Sequence, residues 1–459
     1  MTKIQELYRL AGELGDGRKE ELQERIVKAI YRQAEAISGR VVSRHPGWAC
    51  DWDRRIDDVV TSRLTGFPLM LLLLGVVFWV TIVGANYPSE ILAALLFGLE
   101  DPLSFLFDYT GAPQWLCGMA VQGVYRTVAW VVSVMLPPMA IFFPCFTLLE
   151  DLGYLPRAAF NLDGLFKRAG TQGKQGLTMC MGFGCNAAGV TACRIIDSPR
   201  ERLIAILTNN FVPCNGRFPT LIALATLFFA GSLSTSLSFM ATAVVTTLVL
   251  LGVTVTLLVS YLLSKTLLRG LPSSFVLELP PYRMPQVGRV IVRSIFDRTI
   301  FVLGRAVTIA APAGAVIWLL ANNSIGGQNI LKGMANFLDL PARFLGLDGY
   351  ILTAFILGLP ANEIVLPILL MGYLAQGTLV EPANFQDLGN LLVAYGWTPV
   401  TAFCFMLFSL LHYPCGTTIW TIYKETKSFK WTIAGVLIPL AVAVIVCGLV
   451  NFVGRLILN

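Results

Sequence analysis

The sequence predicts an all-α fold: a polytopic transmembrane helical bundle with two broken-helix, re-entrant regions in an inverted-repeat arrangement. Three observations predict it. Of 459 residues, 55% are hydrophobic and only 14% charged, with a mean hydropathy of +0.68, whereas soluble domains carry about 25% charged residues. Several uncharged runs reach the roughly 20 residues that a helix needs to cross a bilayer. Two further apolar segments are interrupted by glycine and proline, the pattern expected where non-helical backbone lines a path between repeats. The runs do not alternate as barrel strands would.

Taken in order, residues 1–66 are polar and mixed in charge, with no cleavable leader, and predict a cytoplasmic helical linker. Leu22, Ile26, Val27, Ile30 and Tyr31 fall on one helical face, with Glu21, Glu24, Arg25 and Lys28 opposite. A charged collar from Asp53 to Arg63 precedes the first span. Residues 67–264 form a first transmembrane half, with uncharged runs at 67–85, 127–149 and 239–263. Residues 265–298 are a basic, amphipathic cytoplasmic connector, and 299–459 a second transmembrane half with runs at 306–321 and 431–453.

Charge sets the orientation. No lysine or arginine lies between Arg63 and Arg126, while Glu90, Glu100, Asp101 and Asp108 do, so that loop is external and the N-terminus cytoplasmic. Arg157 to Arg202 and Lys265 to Arg298 are basic and cytoplasmic; the stretch around Glu381 and Asp387 is external. Within this frame, 176–193 enters from the inside and 350–373 from the outside. Seven crossings plus two re-entrant elements fit the pattern. The net charge of +6 sits mainly on loops and gives no footing for nucleic acid. The ten cysteines lie mostly in or beside apolar spans, which favours reduced thiols over a disulfide framework.

The densest chemistry is Met179, Cys180, Met181, Gly182, Phe183, Gly184, Cys185 and Asn186, followed by Asn209, Asn210, Pro213, Cys214, Asn215 and Gly216. A second Pro-Cys pair, Pro414-Cys415, follows His412 and precedes Gly416, Thr417 and Thr418; a third is Pro144-Cys145. Glu363, next to Pro360 and Asn362, is an intramembrane carboxylate, and such groups are costly enough to point to function. Cys185, Cys214 and Cys415 stand at Gly or Pro breaks beside amides or hydroxyls, whereas Cys117, Cys404 and Cys447 read as small buried hydrophobes. His412 reads as a packed residue more readily than a ligand, and Met181 as ligand or gap filler. Sulfur, amide and carboxylate donors together suit a first-row transition metal better than magnesium or calcium.

These strings, Leu149-Glu150-Asp151-Leu152-Gly153-Tyr154, Gly182-Phe183-Gly184-Cys185-Asn186, Asn209 to Cys214 and His412 to Trp420, occur in order and resemble the membrane part of the ferrous iron transport protein B family. The resemblance implies two gate regions whose cysteines, here Cys185, Cys214 and Cys415, line a path for Fe(II) as transported substrate. Asn186, Asn210, Asn362, Glu363 and Met181 join that path, with Gly182, Gly184, Pro213, Pro360 and Pro414 as gate backbone. It also implies a bacterial cytoplasmic (inner) membrane location, a possible homo-oligomer and a small FeoA-like partner. Family members begin with a GTPase domain, yet no G-x-x-x-x-G-K-[ST] phosphate loop occurs here. The expectation is therefore a split transporter, not itself an enzyme, with no bound nucleotide and a separate small GTPase as partner. A gate-type nucleoside or organic-solute carrier is the rival within transport, and a membrane thiol redox protein the rival outside it, although no C-x-x-C occurs.

Overall fold

The structure, a computed structural model, describes residues 19–41, 50–62, 64–229, 236–269, 282, 285–325, 328–379 and 385–458. Residues 1–18 and 42–49 of the expected linker, much of the 265–298 connector and Glu381 lie outside the described residues, as do the side chains of Leu22 and Val27. The described chain is helical apart from loops and one two-stranded antiparallel turn, Ser324–Ile325 against Gln328–Asn329.

Helix α1 (Lys19–Val41) and α2 (Cys50–Val60) precede α3 (Gly66–Phe97) and α4 (Glu100–Tyr109). A π-helical stretch, Gly118–Tyr125, leads into α5 (Arg126–Asp151), followed by α6 (Tyr154–Arg168), α7 (Lys174–Gly184), α8 (Asn186–Ala192), α9 (Pro199–Thr208), α10 (Phe218–Phe229) and α11 (Ser236–Lys265). A second π-helical stretch, Ser294–Ile300, leads into α12 (Phe301–Asn322). Then come α13 (Ile330–Phe344), α14 (Gly349–Leu357), α15 (Val365–Leu374), α16 (Phe385–Ala394), α17 (Pro399–Leu411), α18 (Gly416–Thr426) and α19 (Phe429–Leu458). Among the described residues six helical segments are long and apolar enough to cross a membrane, and α13 with α14, bent by 108°, pass the same test as a pair. Phe218–Phe229 (α10) and residues 362–374 are shorter apolar helices outside that count.

The two halves share one skeleton. Asp163, Gly170, Gly173, Gly182 and Asn186 recur at a single constant spacing as Asp339, Gly346, Gly349, Gly358 and Asn362, and the two π-helical stretches begin at that same spacing. The contacts recur with the residues. Asp163 Oδ1 accepts from Gly173 N at 2.9 Å, and Asp339 Oδ1 from Gly349 N at 3.3 Å. Lys167 pairs with Asp163 and Arg343 with Asp339, each at 2.7 Å. Gly170 and Gly346 take left-handed φ values of 78° and 75°, conformations that only glycine adopts cheaply. A Cβ at Gly173 would lie 2.3 Å from Ala159 O, and one at Gly349 1.9 Å from Ala335 O.

Each half then sends in a hairpin. Lys174 at the start of α7 meets Asp197, beyond the end of α8, at 2.6 Å, so that hairpin's two feet stand together. In the second half Asp348 caps α14, accepting from Ile351 N at 2.7 Å, and also accepts from the Tyr373 hydroxyl near the end of α15. Helices α9 to α13 separate the two hairpins in sequence, and their matched skeletons fit the inverted-repeat arrangement expected from the sequence.

A half-buried ion pair ties α2 to α6, the helix that leads into the first hairpin. Arg157 of α6 is 1% exposed. Its Nε and Nη2 donate to the two oxygens of Asp57 at 2.5 and 3.2 Å, and its Nη1 donates to Gly153 O at 2.7 Å. The Tyr282 hydroxyl donates to Asp57 Oδ1 at 2.9 Å, and its ring lies 3.7 Å beneath the guanidinium. Burial alone would raise the Asp57 carboxyl; the hydrogen bonds from Arg157 and Tyr282, with the Arg157 charge, outweigh it and hold the group below the ordinary carboxylate value.

Because the folded-state value is depressed, the stabilisation is present above the ordinary carboxylate range and is lost as pH falls through the depressed value. Asp57→Asn, which strands a buried guanidinium, should release α2 from α6 at a cost of about 3 kcal/mol. Hydrogen exchange of the α2 amides at neutral pH checks this; unchanged protection would refute it.

Candidate functional site

Four breaks interrupt the helices, two in each half. The first is one residue long: Cys185 is extended at φ −154°, ψ 126°, between α7 and α8. Its counterpart at the repeat spacing, Ala361, has nearly the same angles, φ −150° and ψ 124°, in the turn from α14 to α15. The other two lie at 209–217, between α9 and α10, and at 412–415, between α17 and α18. The sequence points to two re-entrant regions; the Pro213-Cys214 and Pro414-Cys415 pairs open two further interruptions in the helices beside them.

All four breaks line one small cavity. Gly184, Cys185 and Asn186 come from the first break and Cys214 and Gly216 from the second. Pro360, Ala361, Asn362 and Glu363 come from the third, and Cys415 and Thr417 from the fourth. Met135 and Met139 of α5 and Ala306 of α12 close it. Its volume is about 20 Å³, room for about one water molecule. The close fit is built from glycines: a Cβ at Gly216 would lie 2.0 Å from Glu363 Oε1, and one at Gly184 2.5 Å from the Phe142 ring.

The polar atoms here are short of donors. Asn362 Nδ2 reaches Cys214 Sγ at 3.8 Å, while its buried Oδ1 has no hydrogen-bond partner among the described residues. The Asn186 amide is better satisfied in one orientation than in the other. Turned one way, Nδ2 donates to Gly182 O at 3.1 Å and Val212 O at 3.3 Å; turned the other, it donates to Asn210 Oδ1 at 3.2 Å. Cys415 Sγ lies 3.2 Å from Thr418 Oγ1.

Not every expected residue joins this cavity. Asn210 is already committed: its Nδ2 donates to His412 O at 2.5 Å and its Oδ1 accepts from Arg217 at 3.2 Å, so it braces one half against the other. Met181 lines a separate, largely apolar cavity of about 510 Å³ between α5, α6, the first hairpin and α12. Gly182 packs against the Asn209 amide, where a Cβ would meet Oδ1 at 3.0 Å. His412 is 1% exposed, holds the Phe408 and Ser409 carbonyls through Nδ1 and stacks on Phe408. The thioethers at the cavity are Met135 and Met139, four residues apart on one face of α5 around Pro137 and Pro138. That spacing was visible in the sequence but lay outside the glycine-rich strings. Among the described residues no group of three or more His, Cys, Asp and Glu side chains is spaced to hold a metal ion at one point. The three sulfurs line the walls, and a shell around a single ion must draw on amide and carbonyl oxygens as well. All nine described cysteines are free.

Known proteins match this architecture. A family model described as "Nucleoside recognition" covers residues 132–229 and 303–429, one block in each half, and a model described as "Ferrous iron transport protein B C terminus" covers 245–297. The Fe(2+) transporter FeoB of Staphylococcus aureus is 30% identical over 411 residues, which are 88% of this chain and 59% of that protein. The chain belongs to the ferrous iron transport protein B (FeoB) family. FeoB of Methanocaldococcus jannaschii is 28% identical across 99% of this chain and 65% of its own length. A Porphyromonas gingivalis relative, named as an Fe(2+) transport protein A/Fe(2+) transporter FeoB fusion protein, is 29% identical across 88% of this chain and 51% of its own. The chain therefore spans less than two-thirds of each of these FeoB relatives. No solved structure matches it.

Gly216→Ala should push the Glu363 carboxylate out of the cavity and weaken divalent-metal binding roughly tenfold or more. Gly304→Ala, with nothing within 4 Å of the added carbon, should leave it unchanged. Co²⁺ titration of both purified variants decides; equal affinities would refute the placement of Glu363.

Proposed function

We propose that the chain is the membrane subunit of a ferrous iron importer, passing Fe²⁺ as substrate through the cavity where the four breaks meet. The reading rests on one observation above others: three cysteines, a carboxylate and an unpartnered amide oxygen, drawn from four separate interruptions, line a space for about one water molecule. An ion small enough to enter must shed its hydration shell, and wall donors of this kind replace it. Sulfur favours a first-row transition metal over magnesium or calcium, and the names of the relatives make iron the leading metal.

Cavity size speaks against an organic solute at the breaks, since pockets for such ligands measure about 300–1,000 Å³. The 510 Å³ cavity beside Met181 is that large, but it flanks the first hairpin instead of joining the breaks. Fe²⁺ approaches from the outside, meets Glu363 and Asn362, and passes Cys214, Cys415 and Cys185 to the cytoplasm. The membrane is the bacterial cytoplasmic membrane, with the N-terminus inside. A separate GTPase couples to the chain through α1, whose Ile26, Ile30 and Tyr31 are about half exposed at 51%, 60% and 49%. A small FeoA-like protein is a further partner, in keeping with the fused name of the Porphyromonas relative.

The test is Fe²⁺ uptake in cells stripped of other importers and supplied with the chain and its partners. Cys185→Ser, Cys214→Ser and Cys415→Ser combined should reduce accumulation to background while the protein still reaches the membrane. Wild-type accumulation by the triple variant would remove the sulfur path.

A further inference from the structure

We propose that Arg217 determines metal selectivity, cancelling the charge of Glu363 so that hard divalent cations gain no net attraction from the cavity. The inference rests on the iron-transport reading and goes beyond it to the way that iron is told from magnesium and calcium.

Arg217 is the last residue of the second break, just before α10, and is 1% exposed. Its Nη1 donates to Asn210 O at 3.0 Å and Leu410 O at 2.9 Å, and its Nη2 to Asn210 Oδ1 at 3.2 Å. Its Nε has no hydrogen-bond partner. Every acceptor is a neutral oxygen, and no carboxylate comes within ion-pair distance among the described residues. A guanidinium keeps its proton under all ordinary conditions, so this is a permanent positive charge in a place where charge is expensive. Its field reaches Cys214, Cys415 and Glu363.

The next residue back is Gly216, whose missing side chain lets Glu363 Oε1 lie close against the backbone. One fixed positive charge at the second break and one carboxylate in the cavity thus act on each other through space. They make no direct ion pair, and the balance between them acts through space.

Balance has a chemical consequence. Magnesium and calcium are held by oxygen ligands and the negative charge those carry; with Arg217 offsetting Glu363, the cavity offers them little. A softer ion recovers the loss through bonds to Cys214, Cys415 and Cys185. Removing the positive charge leaves the cavity net negative and attractive to any divalent cation. Keeping the charge on a differently shaped side chain leaves the discrimination in place.

The experiment uses the full chain in lipid nanodiscs, with anaerobic equilibrium dialysis of radiolabelled Fe²⁺ against Mg²⁺ and Ca²⁺ as competitors. Arg217→Gln should let Mg²⁺ and Ca²⁺ displace Fe²⁺ at concentrations roughly tenfold or more below those the wild type needs, and Arg217→Lys should compete as the wild type does. Glu363→Gln, which leaves Arg217 unbalanced, should weaken Fe²⁺ binding, and Arg217→Gln combined with Glu363→Gln should restore wild-type discrimination. Wild-type discrimination by Arg217→Gln, or equal loss in Arg217→Gln and Arg217→Lys, overturns the proposal. If Arg217→Gln does not fold, Glu363→Gln decides: unaltered Fe²⁺ affinity there overturns it. A wild-type chain that binds Mg²⁺ and Fe²⁺ alike also overturns it. One that binds no Fe²⁺ sinks the iron reading itself, so the two failures are distinguishable.

Discussion

Backbone that leaves its helix inside a bilayer must find partners within the protein, because the hydrocarbon supplies none and each orphaned group costs several kcal/mol. This constraint organises the molecule. The four interruptions satisfy one another: Asn215 N donates to Gly184 O at 3.3 Å, and Gly416 N donates to Leu359 O at 2.7 Å, so in each half the interrupted crossing pairs with the tip of its hairpin. Between halves, Asn210 and Arg217 at the second break hold the carbonyls of His412 and Leu410 at the fourth. Breaks that depend on one another have to meet in one place. The cavity they enclose follows from that necessity, and its donors are whichever side chains the breaks present.

The same economy links the site to the N-terminal helices. Asp57 holds Arg157 on α6; α6 offers Asp163 to Gly173 at the foot of the first hairpin; α7 then runs to Cys185. Gly176 packs so closely that a Cβ there would lie 2.5 Å from Leu162. Helix α6 and the hairpin are therefore packed together, and continuous contacts join α2 to the first break. The second hairpin has Asp339 and Arg343 in the corresponding places but Gly333 where Arg157 stands, so the clamp belongs to one half alone.

Much of this was legible in the sequence, and the omissions have physical reasons. Runs of apolar residues located the long helices, and glycine and proline located the breaks, because both signals are local. The convergence of Cys185, Cys214, Cys415, Asn362 and Glu363 followed from treating interrupted helices as lining a path. Asn210 looked like a donor because side-chain chemistry does not reveal where an amide is already spent, here on His412 and Arg217. Met181 and Met135 exchanged importance for a related reason: the face a helix turns toward a cavity is set by its neighbours, and α7 turns Met181 toward α12. The inverted-repeat arrangement was expected from the paired breaks, but its residue-by-residue register was not legible, because the few matched positions mark tight turns and caps while the apolar residues between them vary freely.

Those matched positions also show what the repeat leaves unmatched. At the tips of the two hairpins the backbone is the same, with Asn186 corresponding to Asn362, yet Cys185 corresponds to Ala361 and Ala187 to Glu363. One hairpin brings sulfur and the other a carboxylate to equivalent scaffolds. A symmetric frame makes the two directions of approach nearly equivalent in packing, as exchange between inward- and outward-facing arrangements requires. The donors then break the equivalence. On the reading proposed above, an ion meets oxygen first, where hydration is exchanged for ligands of similar hardness, and sulfur afterwards, where a transition metal binds and a harder ion gains little. Direction and discrimination then arise from the same two substitutions in an otherwise repeated structure.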